Sequence, residues 1–576
     1  MKAELAPVLV LLVVSPVVWA STDPPVVTTS QGRIFGTTLE FNSIDPGLRR
    51  SVNAFIGIPY AEPPVGSLRF KPPVAKSWSG EIKAMGSRNA CPQPIMPIGN
   101  FTMEGPFSED CLILDVFVPQ AHSPGSAVLV FIHGGAFIIG SGIMLDLYPT
   151  PIAAVGDVIV VTLNYRLGSL GFLSTNDDTI SSNLGLLDQR LALQWVQHNI
   201  KAFGGDPERV AIFGESAGGG SIGLHMVSPG SNGLFRAAIM QSGDAAAPWA
   251  TTPAHKASKA AFTLGKLVNC ERETSQDLLD CLQEVESDIL MEKQNELLQE
   301  AMAGGDMISF GPVVDGDFLP STPDDLYAKG AINDAISIIG SLSDEGMMLA
   351  MAAFPNATDE APFVDRATYD ATMNMFIGML LNPEPIVAQI VKLMYIDASC
   401  KDCDYLESLS QALGDVMFIC SGVKTAKAFT NAGRKVYQYL MDHIPTTSLI
   451  GKKWTKATHG EDLIYVFGMP LSRNEKWTYT EEEAQLSIKI IHFWANLAKT
   501  GNPNLPSYDA ELSAEDKKTE WPLFTLEDRA YKFLSPALRN GRALKEKECA
   551  VLNEVIPNLI KITEEAKKLS TSRRWS

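Results

Sequence analysis

Short, continuous apolar runs punctuate the chain between turn-forming residues: AVLVFIHGG (127–135), DVIVVTLNY (157–165), RVAIFGES (209–216), RAAIMQSG (236–243), ISIIG (336–340) and VYQYL (436–440). Runs that do not alternate with polar residues suit strands covered on both faces, as in a parallel sheet. Helical patterns lie between them. In LLDQRLALQWVQHNIKAF (186–203), Leu187, Leu191, Leu193, Trp195 and Ile200 form an imperfect stripe. The alternation predicts the α/β class with a doubly wound, mostly parallel core. Residues 255–305 and 355–435 are helix-prone excursions, and segments of this kind at strand ends commonly roof a site. No repeat, low-complexity tract or Pro/Ser-rich linker follows residue 25, so residues 21–576 are expected to form one domain.

The first twenty residues, MKAELAPVLVLLVVSPVVWA, combine an early lysine, an apolar run and small residues at Val18 and Ala20. This predicts a signal peptide over 1–20, cleaved after Ala20, and a secreted, extracellular product. The run is short for a membrane span, and the ending KKLSTSRRWS carries neither a retention signal nor an apolar tail, so no stable membrane anchor is expected. A composition of 45% apolar and 20% charged residues is that of a globular protein with a large core. The net charge of −19 argues against nucleic acid, whose phosphates require clustered Lys and Arg.

Eight cysteines, an even count, favour disulfides in an oxidising compartment, although 105 pairings are open. Cys400-Lys-Asp-Cys403 is the best competing metal motif, but no second C-x-x-C and no spaced histidine pair accompany it. No metal is therefore expected. Asn100-Phe-Thr and Asn356-Ala-Thr are glycosylation acceptors if exposed.

The stretch GESAGGGSIG (214–223) carries two overlapping signals. From Gly214 it reads G-x-S-x-G, a strand-to-helix elbow presenting a nucleophilic serine. From Gly218 it reads G-x-G-x-x-G, a dinucleotide loop, with Asp244 as a candidate ribose-binding acid. The strand RVAIF ends at Phe213, so the turn falls on Gly214–Gly218, and Gly218 already lies within the helix, where phosphate cannot reach backbone N–H groups. The later glycines then read as close helix packing. HGGAF (133–137), directly after the strand AVLVFI, supports the serine reading, because a glycine-rich turn there aims backbone N–H groups at a developing oxyanion.

A serine hydroxyl needs a base and an orienting carboxylate, and in this arrangement they follow in the order Ser, acid, His. His122, His133 and His198 precede Ser216, and His225 lies down the serine's own helix. His255 opens a helical excursion ahead of any candidate acid, and His492 sits in the apolar helix SIKIIHFWANLA, where a core role is expected. His443 and His459 remain as bases, and Asp344 and Glu345 as acids.

At these residues the chain resembles the type-B carboxylesterase and cholinesterase family. FGGDPERVAIFGESAGG (203–219), SEDCLILDVFVP (108–119), NYRLGSLGFLS (164–174), SPGSNGLFRAAIMQSG (228–243), FGPVVDGDFLP (310–320) and HGEDLIYVFG (459–468) match its motifs in order, over about residues 25 to 555. The resemblance implies an α/β-hydrolase fold and a serine esterase that takes a small-molecule carboxylic ester without any cofactor. It implies Ser216, Glu345 and His459 as the triad, with oxyanion donors on Gly135, Ala136 and Ala217. Position 136 departs from the all-glycine version of that turn. The resemblance further implies Ser242 and Asp462 as a buried hydrogen-bonded support pair, and the disulfides Cys91–Cys111, Cys270–Cys281 and Cys420–Cys549. Cys400 and Cys403 are left to pair with each other or stay free. Arg69 with Glu109, and Arg166 with Asp188, look like the family's internal ion pairs. Cholinesterases place a tryptophan in the first disulfide loop to hold the choline ammonium. Here CPQPIMPIGNFTMEGPFSEDC has none, with Phe101 the nearest substitute, so a general or lipid-like ester is expected rather than choline, with a hormone or pheromone ester as an alternative. A non-catalytic adhesion domain is the remaining alternative.

Overall fold

Eleven strands pair into one sheet: β1 (Thr37–Phe41), β2 (Arg50–Pro59), β3 (Ile113–Pro119), β4 (Ser126–Ile132), β5 (Ile159–Leu163), β6 (Gly205–Glu215), β7 (Ala237–Gln241), β8 (Ile336–Leu342), β9 (Val436–Met441), β10 (Ala530–Leu534) and β11 (Asn540–Arg542). The computed structural model describes residues 23–572 apart from 45, 87–88, 96, 99–100, 103–105, 121–122, 144–146, 178, 305–309, 359, 382–383, 398–399, 401 and 473–476. The predicted signal peptide and Asn100 lie outside the described residues, while Asn356 is exposed. Among the described residues no helix is long and apolar enough to cross a membrane.

In space the strands run β11-β10-β9-β8-β7-β6-β4-β5-β3-β2-β1. The seven from β4 to β10 are parallel, and antiparallel pairs close both edges. All six apolar runs belong to the parallel part. Their lack of alternation has a direct cause: Val128, Val130 and Ile132 face one core cluster, and Leu129 and Phe131 face the other. Strand β4 has β5 on one side and β6 on the other, so the chain reverses its direction of winding there. Such a reversal leaves a crevice beyond the C-terminal strand ends.

Helix α1 (Leu184–Asn199) differs in detail from the stripe expected of it. Leu186, Gln189, Leu193 and Val196 are buried, whereas Leu187, Leu191 and Trp195 are only partly so. Polar residues take inward positions because they have partners. Asp188 accepts from Arg166, and Gln189 donates to Ser221 at 3.1 Å. Helix α2 (Ala217–Val227) follows the elbow, and helix α3 (Cys420–Asn431) closes the second excursion. Helix α4 (Glu481–Thr500) starts on a capping box, in which Glu483 N–H donates to Thr480 Oγ1 at 3.2 Å and Glu483 Oε2 accepts from Thr480 N–H at 2.7 Å. Its buried face carries Leu486, Ile490, Trp494 and Leu497, but His492 faces outward, which corrects the core role expected for it.

Both excursions are helical, with Ala254–Leu267, Ser275–Gln283 and Ser287–Gly304 in the first and Arg366–Leu380, Pro385–Met394, Leu406–Gly414 and α3 in the second. Disulfides join Cys91 to Cys111, Cys270 to Cys281, Cys400 to Cys403 and Cys420 to Cys549. The C-x-x-C thiols are thus consumed in a bond to each other.

Arg69 pairs with Glu109 and also donates to the carbonyls of Gln283 (3.0 Å) and Val285 (2.5 Å), tying the first excursion to the connection between β2 and β3. Arg166 grips Asp188 with two side-chain bonds of 2.8 and 2.7 Å, and its own N–H adds a third at 3.0 Å. Breaking a buried pair strands one charge in a low-dielectric interior and costs about 3–5 kcal/mol. Asp188→Ala should therefore lower unfolding free energy by about that amount, read as a shift of the urea midpoint.

Candidate active site

Strand β6 delivers Glu215 as its last residue, and Ser216 makes the turn into α2 with φ 56° and ψ −123°. Such a conformation is strained for a residue with a Cβ and tends to mark functional turns. Among residues 210–227 only Ser216 keeps partial exposure. The flanking glycines are required by space: a Cβ on Gly214 would stand 2.4 Å from the Ile132 carbonyl oxygen, and one on Gly218 2.1 Å from the same atom.

The dinucleotide reading fails in three dimensions. Gly218, Gly220 and Gly223 all lie inside α2, and a Cβ on Gly223 would meet the Ala245 nitrogen at 2.3 Å. Asp244 is buried, accepting from Thr425 Oγ1 at 2.6 Å and Ala246 N–H at 2.7 Å.

Beyond β4, the HGGAF turn carries three successive positive φ values, Gly135 at 103°, Ala136 at 55° and Phe137 at 62°. An L-residue held there costs about 1–2 kcal/mol, a strain that glycine at 136 would avoid. The turn lies against the elbow, since a Cβ on Gly134 would stand 3.2 Å from Ser216 Cβ. Among the described residues, no protein oxygen accepts from the N–H groups of Gly135, Ala136 or Ala217. Ala217 is the first residue of α2, whose opening N–H groups have no partner within the helix.

Glu345 follows β8, and His459 stands in the loop between β9 and α4. Both are buried, and His459 Nδ1 lies 2.7 Å from Glu345 Oε2. Glu345 Oε1 accepts from Ser242 Oγ at 2.5 Å and Leu342 N–H at 2.8 Å, so the carboxylate is held on both oxygens. The Glu345 contact makes Nδ1 the donor and turns Nε2 towards the elbow. There Nε2 lies 3.0 Å from Glu215 Oε1 without the alignment of a hydrogen bond. Ser216 Oγ has no protein partner among the described residues. The Phe418 ring covers the imidazole at 4.3 Å and 32°. Phe418 belongs to a π-helical turn, Asp415–Ile419, and Met417 in that turn accepts from Trp249 Nε1 at 2.9 Å.

The electrostatics are those of one imidazole among three buried carboxyls. Burial lowers the His459 pKa, but Glu215 and Glu345 reverse this and lift it to about 9. Burial raises Glu215 to about 8, opposed by His459 and reinforced by Asp462 and Glu345. Burial also raises Asp462, against hydrogen bonds from Tyr439 and Gln241. His133, by contrast, is pushed down to about 4 by burial and stays neutral.

The rival candidates have other partners. Asp344 accepts from Ser410 Oγ at 2.6 Å, and His443 Nε2 lies 3.4 Å from Glu483 Oε1 just past β9. The expected Ser242–Asp462 pair does not form. Ser242 donates to Glu345, and Asp462 accepts from Tyr439 OH at 2.6 Å and Gln241 Nε2 at 2.9 Å. Neighbouring positions on β7 send Gln241 to one acid and Ser242 to the other. Glu215 and Phe418 were missed in the sequence: Glu215 occupies an unspecified position of G-x-S-x-G, and nothing local distinguishes Phe418 from a core aromatic. No group of His, Cys, Asp and Glu suited to a metal occurs among the described residues.

Residues 23–552 match the Carboxylesterase family. Similar proteins include the acetylcholinesterase of Bungarus fasciatus, 35% identical over 95% of this chain and 89% of its own length. Those of Electrophorus electricus and Danio rerio are each 34% identical, covering 100% and 96% of this chain and 95% and 91% of theirs. A match spanning nearly the whole chain, on a mostly parallel sheet with the serine elbow at its switch point, means that the protein belongs to the carboxylesterase family of carboxylic ester hydrolases.

Proposed function

We propose that the protein is an exported serine esterase that cleaves a small carboxylic ester through an acyl-enzyme on Ser216. The observation that carries the reading is the buried 2.7 Å contact of Glu345 with His459 beside the strained serine elbow. Ser216 attacks the ester carbonyl as His459 Nε2 takes its proton, and Glu345 stabilises the imidazolium. The N–H groups of Gly135, Ala136 and Ala217 receive the oxyanion. His459 then protonates the departing alcohol, and water activated by the same imidazole releases the acid. His459 Nε2 makes no hydrogen bond among the described residues, which suits this scheme, since catalytic bonds of this kind often close only once substrate is bound. Ser242 supports the acid directly, whereas Asp462, held by Tyr439 and Gln241, acts on His459 only as a nearby buried carboxyl. Residues 1–20 serve as the export signal and 21–576 as the mature single domain, with Asn100 and Asn356 as glycan acceptors; four disulfides favour an oxidising compartment.

The similarity to acetylcholinesterases favours a second reading, a choline ester substrate. Against it stands the first disulfide loop, which has no tryptophan to face a quaternary ammonium.

A fluorophosphonate should form an adduct on Ser216, and Ser216→Ala should lose about 10⁴- to 10⁶-fold in kcat on a nitrophenyl ester while staying folded. An unlabelled serine with no turnover would instead favour the adhesion-type alternative. The base works only when neutral, so kcat/KM should rise with pH along a limb displaced above histidine's ordinary range. Glu215→Gln removes a carboxylate that favours the imidazolium, and the limb should move to lower pH. An unmoved limb would mean that Glu215 does not act on His459. Across a panel of matched acetyl esters, a neutral alcohol should be preferred over choline in kcat/KM; the opposite ranking would support the second reading.

A further inference from the structure

We propose that Gln93 is a positioning residue that holds the oxyanion-binding turn in its working shape, a role that rests on the ester-hydrolase reading above. Its side chain is buried at 4% exposure and engaged along both edges. Oε1 accepts from Gly140 N–H at 2.8 Å, and Nε2 donates to the carbonyls of Gly140 at 2.9 Å and Cys91 at 3.0 Å. Gripping both backbone groups of one residue fixes the rotation of that backbone as well as its distance.

Gly140 is placed to pass this constraint on. Its φ is +119°, and a Cβ there would stand 2.3 Å from His133 Nδ1 and 2.7 Å from the Gly134 carbonyl oxygen, so Gly140 rests directly on the start of the turn. Next to it, Ile139 N–H donates to Gly135 O at 3.0 Å, and Ile138 N–H to the same oxygen at 2.9 Å. The Gly135 carbonyl and the Ala136 N–H belong to one planar trans peptide and point in opposite directions. The bonds that hold that carbonyl therefore aim the Ala136 N–H. On its other side Gln93 is tied to Cys91, whose disulfide to Cys111 anchors it beside β3. The first disulfide loop thereby braces the turn through one carboxamide.

The test uses the full chain with Gln93→Met, which keeps length and removes both kinds of hydrogen bond, and Gln93→Glu. Gln93→Met should lower kcat about 10- to 100-fold by misplacing a donor, with KM within about threefold of wild type. Affinity for a trifluoromethyl ketone, which adds to the serine and carries an oxyanion, should fall by the same factor. In Gln93→Glu the introduced acid keeps a donor and an acceptor while protonated and loses the donor once ionised. The variant-to-wild-type ratio of kcat should therefore fall as pH rises, and this ratio decides the matter if Gln93→Met does not fold. A folded Gln93→Met with kcat unchanged, a loss confined to KM, or a ratio independent of pH would overturn the role. If wild type fails to label at Ser216, the hydrolase reading falls and takes the role with it; if wild type labels and both variants match it, the role alone falls.

Discussion

The whole site depends on how closely three pieces of backbone approach one another beyond the ends of β4 and β6. Gly214 and Gly218 both lie within a Cβ's clash distance of the Ile132 carbonyl, and Gly134 packs on Ser216. That approach forces the chain to turn in the space of one residue, puts Ser216 in a conformation an L-residue rarely adopts, and starts α2 with unused N–H groups beside the HGGAF turn. The strain at Ser216 and Ala136 persists because the surrounding packing over-determines it, with Tyr165 OH, Asn164 Oδ1 and the Gln93 carboxamide all bonded along residues 133–142.

Around this closely packed centre the charges set a second constraint. Glu215, Glu345 and Asp462 are buried within reach of one imidazole, an arrangement whose desolvation is severe unless protons are shared. Each acid is handled differently. Glu345 is held by Ser242 and a backbone N–H, and Asp462 by Tyr439 and Gln241. Glu215 has no hydrogen bond at Oε1, and burial draws it towards its neutral form. Burial thus favours the neutral Glu215 carboxyl, while the neighbouring carboxylates favour the protonated His459 imidazole.

The excursions connect to this centre by covalent and packing links. The second carries Phe418 onto His459 on a π-helical turn, directly ahead of Cys420, which is bonded to Cys549 near the C-terminal helix. The first is held to the connection between β2 and β3 by Arg69 through the backbone of Gln283 and Val285. Residues far apart in the chain are in this way pinned around one short turn.

What the sequence determined by itself was whatever rests on local pattern. Unalternating apolar runs mark doubly covered strands, because burial on both faces removes any reason for polar alternation. The Gly214–Gly218 spacing marks the elbow, because only glycine fits there. The α1 stripe was legible only in part, since Asp188 and Gln189 turn inward to partners that no local pattern reveals. Only the tertiary structure decided matters that depend on residues distant in the chain. It brought Glu345 rather than Asp344, and His459 rather than His443, into contact, gave Ser242 and Gln241 to separate acids, Glu345 and Asp462, and placed Glu215, Phe418 and Gln93 around the site. Hydrogen bonds and buried charges are satisfied by whatever the fold brings within about 3 Å, and that proximity is a property of the assembled sheet and its loops, not of neighbours along the chain.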